Sequence, residues 1–249
     1  DDYVLGDEIG EAQLQRVVES AMTGKGTGNV PVETLAETIV DAVQRAADGE
    51  RVPAEAVAVE ARSGRSAIAT TVVDGVVAEA EPIRDGMPTR VDDAAIAVID
   101  GDIEQRELEV DAEYSITSGD QLSTAVAAEA ETLEGYAETL TDAGVDVVFV
   151  TGDIADRTAS ALASAGVLAF EDVGGDDATV IADATGATTV PRVEEIESDD
   201  RGAAGSVGVE TVDDDTAVRV EDGAGARLVT VLVRGSTNHA LDEIERTVS

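Results

Sequence analysis

The chain has 249 residues, 54 of them acidic and 16 basic, and its net charge of -38 argues against nucleic acid or an anionic membrane as a partner. Because 43% of the residues are hydrophobic and periodic segments run throughout, we expect a folded protein with a carboxylate-covered surface, not a disordered one. Molar salt screens such charge to within about 3 Å, so the composition predicts a halophilic source, most simply a haloarchaeon.

The N-terminal segment predicts two helices joined by a glycine-rich loop. Residues 11–22 and 32–47 carry apolar side chains at helical spacing, and Thr23–Pro31 lies between them. The loop sequence Thr23-Gly24-Lys25-Gly26 looks like half of a phosphate-binding loop. A Walker A motif follows a strand and has Ser or Thr after its lysine, so a nucleotide-binding loop is not favoured. Lys25 is nevertheless the only lysine in the chain, which favours a functional role for it.

From Ala56 the pattern changes to short β-branched runs, typical of strands in a mainly antiparallel region. The predicted strands are Val57–Ala61, Ala67–Val73, Val76–Glu79, Ala94–Ile99 and Glu107–Val110. Residues 120–143 form the longest helical segment, and Gly144 is placed to end it.

Strands and helices alternate in the next part of the chain, which indicates α/β units. The predicted elements are strand 145–150, helix 153–165, strand 167–170, helix 176–185 and strand 188–191, followed by strands 202–207, 211–212, 217–220 and 228–233. After the last strand, Leu241, Ile244 and Val248 recur at helical spacing and predict a final helix. The alternation leaves open a small-molecule enzyme on a Rossmann-like core, although no Gly-x-Gly-x-x-Gly motif follows a strand.

The scarce residue types limit the chemistry of any site. The chain has no cysteine and only one histidine, His239, so thiolate and multi-histidine metal sites are excluded and no metal site is predicted. His239 has no positioned nucleophile and is predicted to be structural, and no carboxylate pair stands out as a general acid and base. No apolar run approaches the ~20 residues of a membrane span, and the acidic N-terminus is unlike a signal peptide. A cytoplasmic protein is expected.

Six collinear motifs resemble those of the group II chaperonins, the family of the archaeal thermosome. They are Ala21–Gly26, Asp74–Val77, Gly86–Val91, Asp146–Phe149, Ala182–Ala187 and Val231–Ser249 (VLVRGSTNHALDEIERTVS). Their order and spacing are about those of the family over nearly the whole chain. The family's equatorial ATPase domain, with its Gly-Asp-Gly-Thr phosphate loop, has no counterpart here.

The resemblance implies an α/β (α+β) fold of two domains. A small, discontinuous α/β intermediate domain would comprise residues 1–60 and 228–249, and an inserted apical domain would comprise residues 61–227. The apical domain would have a β-sandwich-like core flanked by helices. Its helical protrusion, which forms the lid in this family, would span residues 95–141.

The resemblance also implies a function. The complete protein would be an ATP-dependent chaperonin whose sister subunits form a double ring and encapsulate unfolded polypeptide clients. This chain would supply the client-binding lid portion and the hinge, without a cofactor of its own, while the full-length protein would bind ATP and Mg²⁺. A purely architectural paralogue without client affinity is a third possibility, beside the Rossmann-like enzyme.

Particular residues acquire roles through the resemblance. Thr23, Gly24 and Lys25 would sense the γ-phosphate bound in the equatorial domain. The family's catalytic aspartate would fall just beyond Ser249, so no catalytic residue is assigned and the chain alone is expected to be inactive as an ATPase. The client and lid surface would include Leu108, Ile116, Leu122, Val126 and Leu162. The alanine-rich helix 153–165 would line a second client surface, which argues against strong client binding there.

Overall fold

The computed structural model describes residues 3–4, 11–22, 31–47, 51–53, 56–63, 70–104, 119–212 and 215–235. Its helices are α1 (Glu11–Met22), α2 (Val32–Ala46), α3 (Gly119–Asp142), α4 (Asp156–Ala165) and α5 (Gly175–Thr185). Its strands are β1 (Tyr3–Val4), β2 (Arg51–Val52), β3 (Val57–Ser63), β4 (Thr71–Val73), β5 (Gly75–Glu79), β6 (Arg90–Ile99), β7 (Val147–Val150), β8 (Leu168–Phe170), β9 (Thr189–Val190), β10 (Gly202–Val212), β11 (Asp215–Gly223) and β12 (Val229–Gly235). The predicted α/β fold class is confirmed.

The smaller body is a three-stranded sheet covered by α1 and α2. Strand β12 lies in the middle, parallel to β3 and antiparallel to β4. Apolar residues at helical spacing on α2, among them Leu35 and Ala42, are fully buried with Val231 and Val233 of β12. This core therefore joins residues near the two ends of the chain, as a discontinuous domain requires.

Strand β4 corrects one predicted boundary. The family resemblance places residues 71–73 in the inserted domain of residues 61–227, but they pair with β12, with Val72 opposite Val231. Strand β3 also continues to Ser63 in the smaller sheet. The strand pairing therefore places the boundary between the bodies after Val73.

The larger body is a seven-stranded mixed sheet in the order β5-β11-β10-β6-β7-β8, with β9 also beside β6. Strand β6 pairs antiparallel with β10 through residues 90–96, and parallel with β7 through residues 96–99. One long strand therefore joins an antiparallel ladder to a parallel one. The strands form one continuous sheet, not the two facing sheets of a β-sandwich.

The core of the larger body lies where the parallel strands meet α3, α4 and α5. Both phenylalanines of the chain are here: the rings of Phe149 and Phe170 stack with centroids 4.9 Å apart. Leu140 of α3, Leu162 of α4 and Ile181 of α5 are fully buried in the same cluster. These three helices are thereby fixed to the sheet.

The position of β6 also corrects the predicted protrusion. The family resemblance implies a protrusion that begins at Ala95, yet residues 95–99 lie in the middle of the sheet, and Ile96 and Ile99 are fully buried. Ile103 is buried as well, and its backbone N–H donates to Asp153 O at 2.8 Å. Residues 95–103 therefore belong to the packed core and not to a protrusion.

Some element boundaries also differ from prediction. The strands expected at 202–207 and 211–212 are one continuous strand, β10, because β11 pairs with it along its length. Helix α4 begins at Asp156 instead of Asp153, since Ile154 bridges to Ile103. The predicted strand Glu107–Val110 and the final helix lie outside the described residues.

Candidate functional site

Helices α3 and α4 lie side by side on the larger body, and a groove runs between them. Each helix buries one face: Leu133, Ala137 and Leu140 of α3, and Ala159 and Leu162 of α4. A buried hydrogen bond ties the helices together, because the Thr158 hydroxyl donates to Leu133 O at 2.9 Å. This hydrogen bond and the buried faces fix the spacing between α3 and α4, and with it the width of the groove.

The groove has a cavity volume of ≈ 800 Å³ and combines short side chains with charges. Its lining residues are Arg84, Glu134, Ala137, Glu138, Thr141, Asp156, Arg157, Ser160, Ala161, Ser164 and Ala165. None of these is a large apolar residue. Such a lining accommodates polypeptide backbone and small or polar side chains better than bulky hydrophobic ones.

Two ion pairs cross the groove region. Arg157 Nη1 lies 3.4 Å from Glu134 Oε1, joining α4 to α3. Arg84 Nη2 lies 2.8 Å from Asp156 Oδ1 and also donates to the Asp156 backbone carbonyl at 2.9 Å. The Arg84 Nε atom is buried and has no hydrogen-bond partner in the described structure. Arg84 thereby fixes the start of α4 to the segment before β6.

The first half of α3 precedes this packed region along the helix. Ala127 and Ala128 are exposed, and Leu133 is the first buried residue among the side chains described in the helix. At 1.5 Å per residue, residues 119–132 rise about 21 Å along the helix axis. The helix is therefore anchored through its C-terminal half; its other half, residues 119–132, is the segment that we propose projects from the core.

The predicted client-surface residues divide into three groups. Leu162 is 0% exposed in the core, because it points from α4 towards the sheet; it is therefore not part of an accessible surface, and its assignment there is wrong. Leu122 and Val126 lie in the projecting half of α3, with side chains outside the description. Leu108 and Ile116 lie outside the described residues, as do Thr23, Gly24, Lys25 and His239.

The residues that line the groove could not be predicted from the sequence. Arg84 and Asp156 form a pair across 72 residues of sequence, and Arg157 and Glu134 form a pair across 23, so no local motif connects the partners. Among the described residues, no group of three or more His, Cys, Asp or Glu side chains is arranged to hold a metal ion. Over the same residues, no helix has the length and apolarity to cross a bilayer.

The fold is similar to a solved chaperonin structure. An open-state monomer of a group II chaperonin from Methanococcoides burtonii superposes with a TM-score of 0.77 at 25% sequence identity. The match covers 99% of this chain and 56% of that one. The architecture is therefore that of a group II chaperonin segment.

The sequence comparisons agree with the fold. Residues 4–249 match the TCP-1/cpn60 chaperonin family. The chain is 45% identical over 250 residues to thermosome subunit 3 of Haloferax volcanii, covering 100% of this chain and 48% of that protein. It is 39% identical over 235 residues to thermosome subunit alpha of Halobacterium salinarum, covering 94% and 42%. The chain belongs to the TCP-1/cpn60 chaperonin family.

Two features of these relatives matter for function. Both come from halophilic archaea, which agrees with the source predicted from the charge. The chain spans about half the length of the curated relatives it matches. The activity of a whole chaperonin is therefore a proposal for this chain.

Proposed function

We propose that this chain is the client-binding, lid and hinge portion of an ATP-dependent group II chaperonin. The complete protein uses ATP and Mg²⁺ to close a lid over unfolded polypeptide inside a cytoplasmic double ring of sister subunits. The observation that carries the proposal is α3, which is anchored through Leu133, Ala137 and Leu140 of its C-terminal half, while Ala127 and Ala128 of its other half are exposed. We infer that this other half extends away from the core. A projecting helix of this kind is suited to contact clients and neighbouring lids.

The hinge role is supported by where the chain passes between the two bodies. It enters the larger body at Gly75 and returns at Leu228–Val229. The two crossings are adjacent, because the buried Thr230 hydroxyl donates to Gly75 O at 2.7 Å. An inserted body attached through two neighbouring crossings moves as a unit about them, as hinge motions require.

The groove between α3 and α4 supports a client surface of low affinity. Its lining lacks the large apolar side chains whose burial gives most binding energy. The charges along the groove, such as Arg157 and Glu134, are already paired with each other. We expect the groove to contact polar, small-residue client segments and the projecting half of α3 to contribute apolar contacts through Leu122 and Val126.

The Rossmann-like enzyme is disfavoured at the point where its ligand would bind. Ligands of such folds lie beyond the carboxyl ends of the parallel strands. Here those ends are closed by loop contacts: Gly152 N–H donates to Gly101 O at 3.2 Å, and Asp172 N–H donates to Gly152 O at 3.1 Å. A Cβ atom on Gly152 would lie 2.0 Å from Asp102 Oδ1, so the loops leave no space between them.

A client-capture assay tests the proposal. The 249-residue chain, in molar KCl, is added in excess to a chemically denatured enzyme whose aggregation is followed by light scattering. We expect slower aggregation and a complex that survives gel filtration. Replacement of Leu122 and Val126 by serine should weaken this effect, whereas the same change at the exposed Val17 and Val32 should not.

The competing functions give different outcomes in that assay. A purely architectural paralogue would leave aggregation unchanged at every excess, which would contradict client binding. The chain alone is expected to release no phosphate from ATP. ATP hydrolysis by the purified chain would contradict the proposal that hydrolysis requires the family's equatorial domain. The nucleotide-sensing role of Thr23, Gly24 and Lys25 stays a prediction.

A further inference from the structure

Strand β12 is buried on both of its faces, and each face packs on a different body. Because side chains alternate along a strand, Val229, Val231 and Val233 share one face, and they are buried with the helices of the smaller body. Thr230 and Leu232 share the opposite face and are also buried, at 2% and 1% exposed. This second face meets the larger body.

A small apolar cluster joins the two bodies at that face. Val73 of β4 and Leu232 of β12 belong to the smaller body, and Val77 of β5 belongs to the larger one. All three side chains are buried together, and Ala217 of β11 packs against them. Separation of the bodies would therefore expose apolar surface on both.

A buried hydrogen bond accompanies the cluster. The Thr230 hydroxyl of the smaller body donates to the Gly75 carbonyl of the larger body at 2.7 Å. A buried carbonyl that loses its donor is costly until water can reach it, so this contact favours one position of the two bodies. We call the set of residues that joins the bodies the clasp; its members are Val73, Gly75, Val77, Thr230 and Leu232.

The chain has little slack where it passes between the bodies. At the first crossing, Val73 pairs with β12 in the smaller sheet, and the carbonyl of the next residue, Asp74, accepts from the N–H of Asp222 in the larger sheet at 3.1 Å. At the return crossing, the Ala226 N–H donates to a carbonyl of α5 at 2.7 Å, and residues 227–228 separate it from β12. The larger body can therefore rotate about the crossings but cannot slide along them.

We propose that the clasp holds the larger body in one discrete orientation and that hinge motion requires release of the whole clasp. This inference rests on the hinge role proposed above. Close-packed contacts and hydrogen bonds are lost over small displacements, so a packed interface changes between discrete arrangements and not continuously. The chain therefore has two states: the clasped orientation of this structure, and a released orientation in which Thr230 and Leu232 meet water.

Distances between spin labels on the two bodies test the clasp. The chain has no cysteine, so Glu37→Cys on α2 and Asp176→Cys on α5 place one label on each body at exposed positions. Double electron–electron resonance in molar KCl then gives the distribution of distances between the labels. We expect one dominant, narrow distance for the labelled parent chain.

Variants at Thr230 test the hydrogen bond. Thr230→Val keeps the shape of the side chain but removes the donor. It should raise the share of a second, separate distance about tenfold, as expected from the loss of one buried hydrogen bond. Thr230→Ser keeps a hydroxyl and should resemble the parent chain.

Neighbouring residues of β12 provide the matched control for the apolar part of the clasp. Leu232→Ala removes a clasp member and should populate the second distance. Val231→Ala, one residue earlier, leaves its cavity against the helices of the smaller body and should not. Val77→Ala weakens the clasp from the larger body and should act like Leu232→Ala, so the test does not depend on the folding of one variant.

The possible outcomes separate the clasp from the hinge. A single distance that broadens smoothly in every variant would show a hinge without a clasp. Equal second populations in Val231→Ala and Leu232→Ala would show general loosening of the smaller body. Either result overturns the clasp and leaves the hinge in place, whereas an unchanged narrow distance in every variant contradicts both. Client binding is decided by the aggregation assay and not by these distances.

Discussion

Arg201 secures the end of α3, the helix on which the proposed function depends. Gly144 turns the chain after the helix with φ +74°, and Arg201 Nη1 donates to its carbonyl at 2.8 Å while Nε donates to Ser198 O at 3.0 Å. The left-handed backbone conformation favours glycine here, and a Cβ atom on Gly144 would lie 2.6 Å from that Nη1 and displace the guanidinium. The arginine therefore connects the end of α3 to the start of β10.

Replacement of Arg201 tests this connection. We expect Arg201→Ala to lower the free energy of unfolding by about 1 kcal/mol, because two carbonyl groups lose a charged donor. The control is Arg192→Ala, since Arg192 forms an exposed ion pair with Glu195 three residues away, and such pairs contribute little. Chemical denaturation in molar KCl measures both. Equal losses in the two variants would contradict the role given to Arg201.

Tyr136 links α3 to the short 3₁₀ turn Val193–Glu195 by a hydrogen bond to Glu194, and the pKa of its hydroxyl depends on this contact. Burial raises the pKa of the Tyr136 hydroxyl, and its hydrogen bond to Glu194 raises it further. The folded protein therefore holds this proton more tightly than the unfolded chain does. The contribution to stability is fully present below the tyrosine's ordinary pKa of about 10 and is lost as pH rises through the higher folded-state pKa.

The Tyr136→Phe variant tests the pH dependence. Wild-type stability is expected to fall more steeply than that of the variant as the pH rises above about 10, the tyrosine's ordinary pKa. At neutral pH the variant should be less stable by about 1 kcal/mol, from loss of the hydrogen bond. Urea denaturation at each pH measures the difference. Parallel curves for the two proteins would contradict the raised pKa.

At the scale of elements, we predict that the two halves of α3 differ in their resistance to local unfolding. Ala137 is buried against the core and Ala128 is exposed in the projecting half, so the same substitution has different consequences at the two sites. Ala137→Gly should lower global stability by more than the roughly 1 kcal/mol cost of glycine in a helix. Ala128→Gly should speed amide exchange in its own half and leave the unfolding midpoint unchanged.

Hydrogen exchange and thermal unfolding distinguish the two effects. If Ala128→Gly lowers the midpoint as much as Ala137→Gly, the N-terminal half of α3 packs on the core. It then does not project, and the main support for the lid is lost.

Elements with strong local signals were predictable from sequence. Helix α3 begins and ends within one residue of prediction because its apolar period is long and Gly144 stops it. Strand β6 was predicted only from Ala94, although it begins at Arg90, since its first residues are polar and are held by pairing with β10. The two-residue strands β1 and β2 have no local signal at all.

The candidate sites depend on contacts between residues that are far apart in the sequence, and were therefore less predictable than the helices and strands. Periodicity identified Leu162 as apolar but did not show which face of α4 meets the sheet, and the residue proved to be core. Arg84 reaches Asp156 across 72 residues of sequence. These features depend on the order of the strands in the sheet, which local sequence patterns do not specify.

At the scale of the whole molecule, a net charge of -38 opposes the compact state. Raising the ionic strength from about 0.1 M to 1 M shortens the screening length from about 10 Å to about 3 Å. We therefore expect the unfolding temperature to rise steeply between 0.1 M and 2 M KCl, roughly the range over which screening saturates. An unchanged midpoint over this range would contradict the halophilic interpretation.

A variant of lower charge provides the control for the salt experiment. Amide substitutions at four exposed carboxylates, Glu81, Asp85, Glu131 and Asp142, reduce the repulsion without touching the core. The variant should be more stable than the wild type at low salt and nearly equal to it at 2 M KCl, where screening has removed most of the difference (about 2 Å screening length). A constant difference at all salt concentrations would show that repulsion is not the cause.

The central claim is that α3 and its groove contact unfolded polypeptide, and site-specific photocrosslinking tests it most directly. A photoreactive residue is placed at Ala128 in the projecting helix, at Ser160 in the groove, or at the exposed Thr188 outside both. Each protein is irradiated with a denatured client and with the same client in its native form. The account predicts adducts with the denatured client at Ala128, fewer at Ser160 and none at Thr188. Equal labelling at all three positions, or none at Ala128, would contradict it.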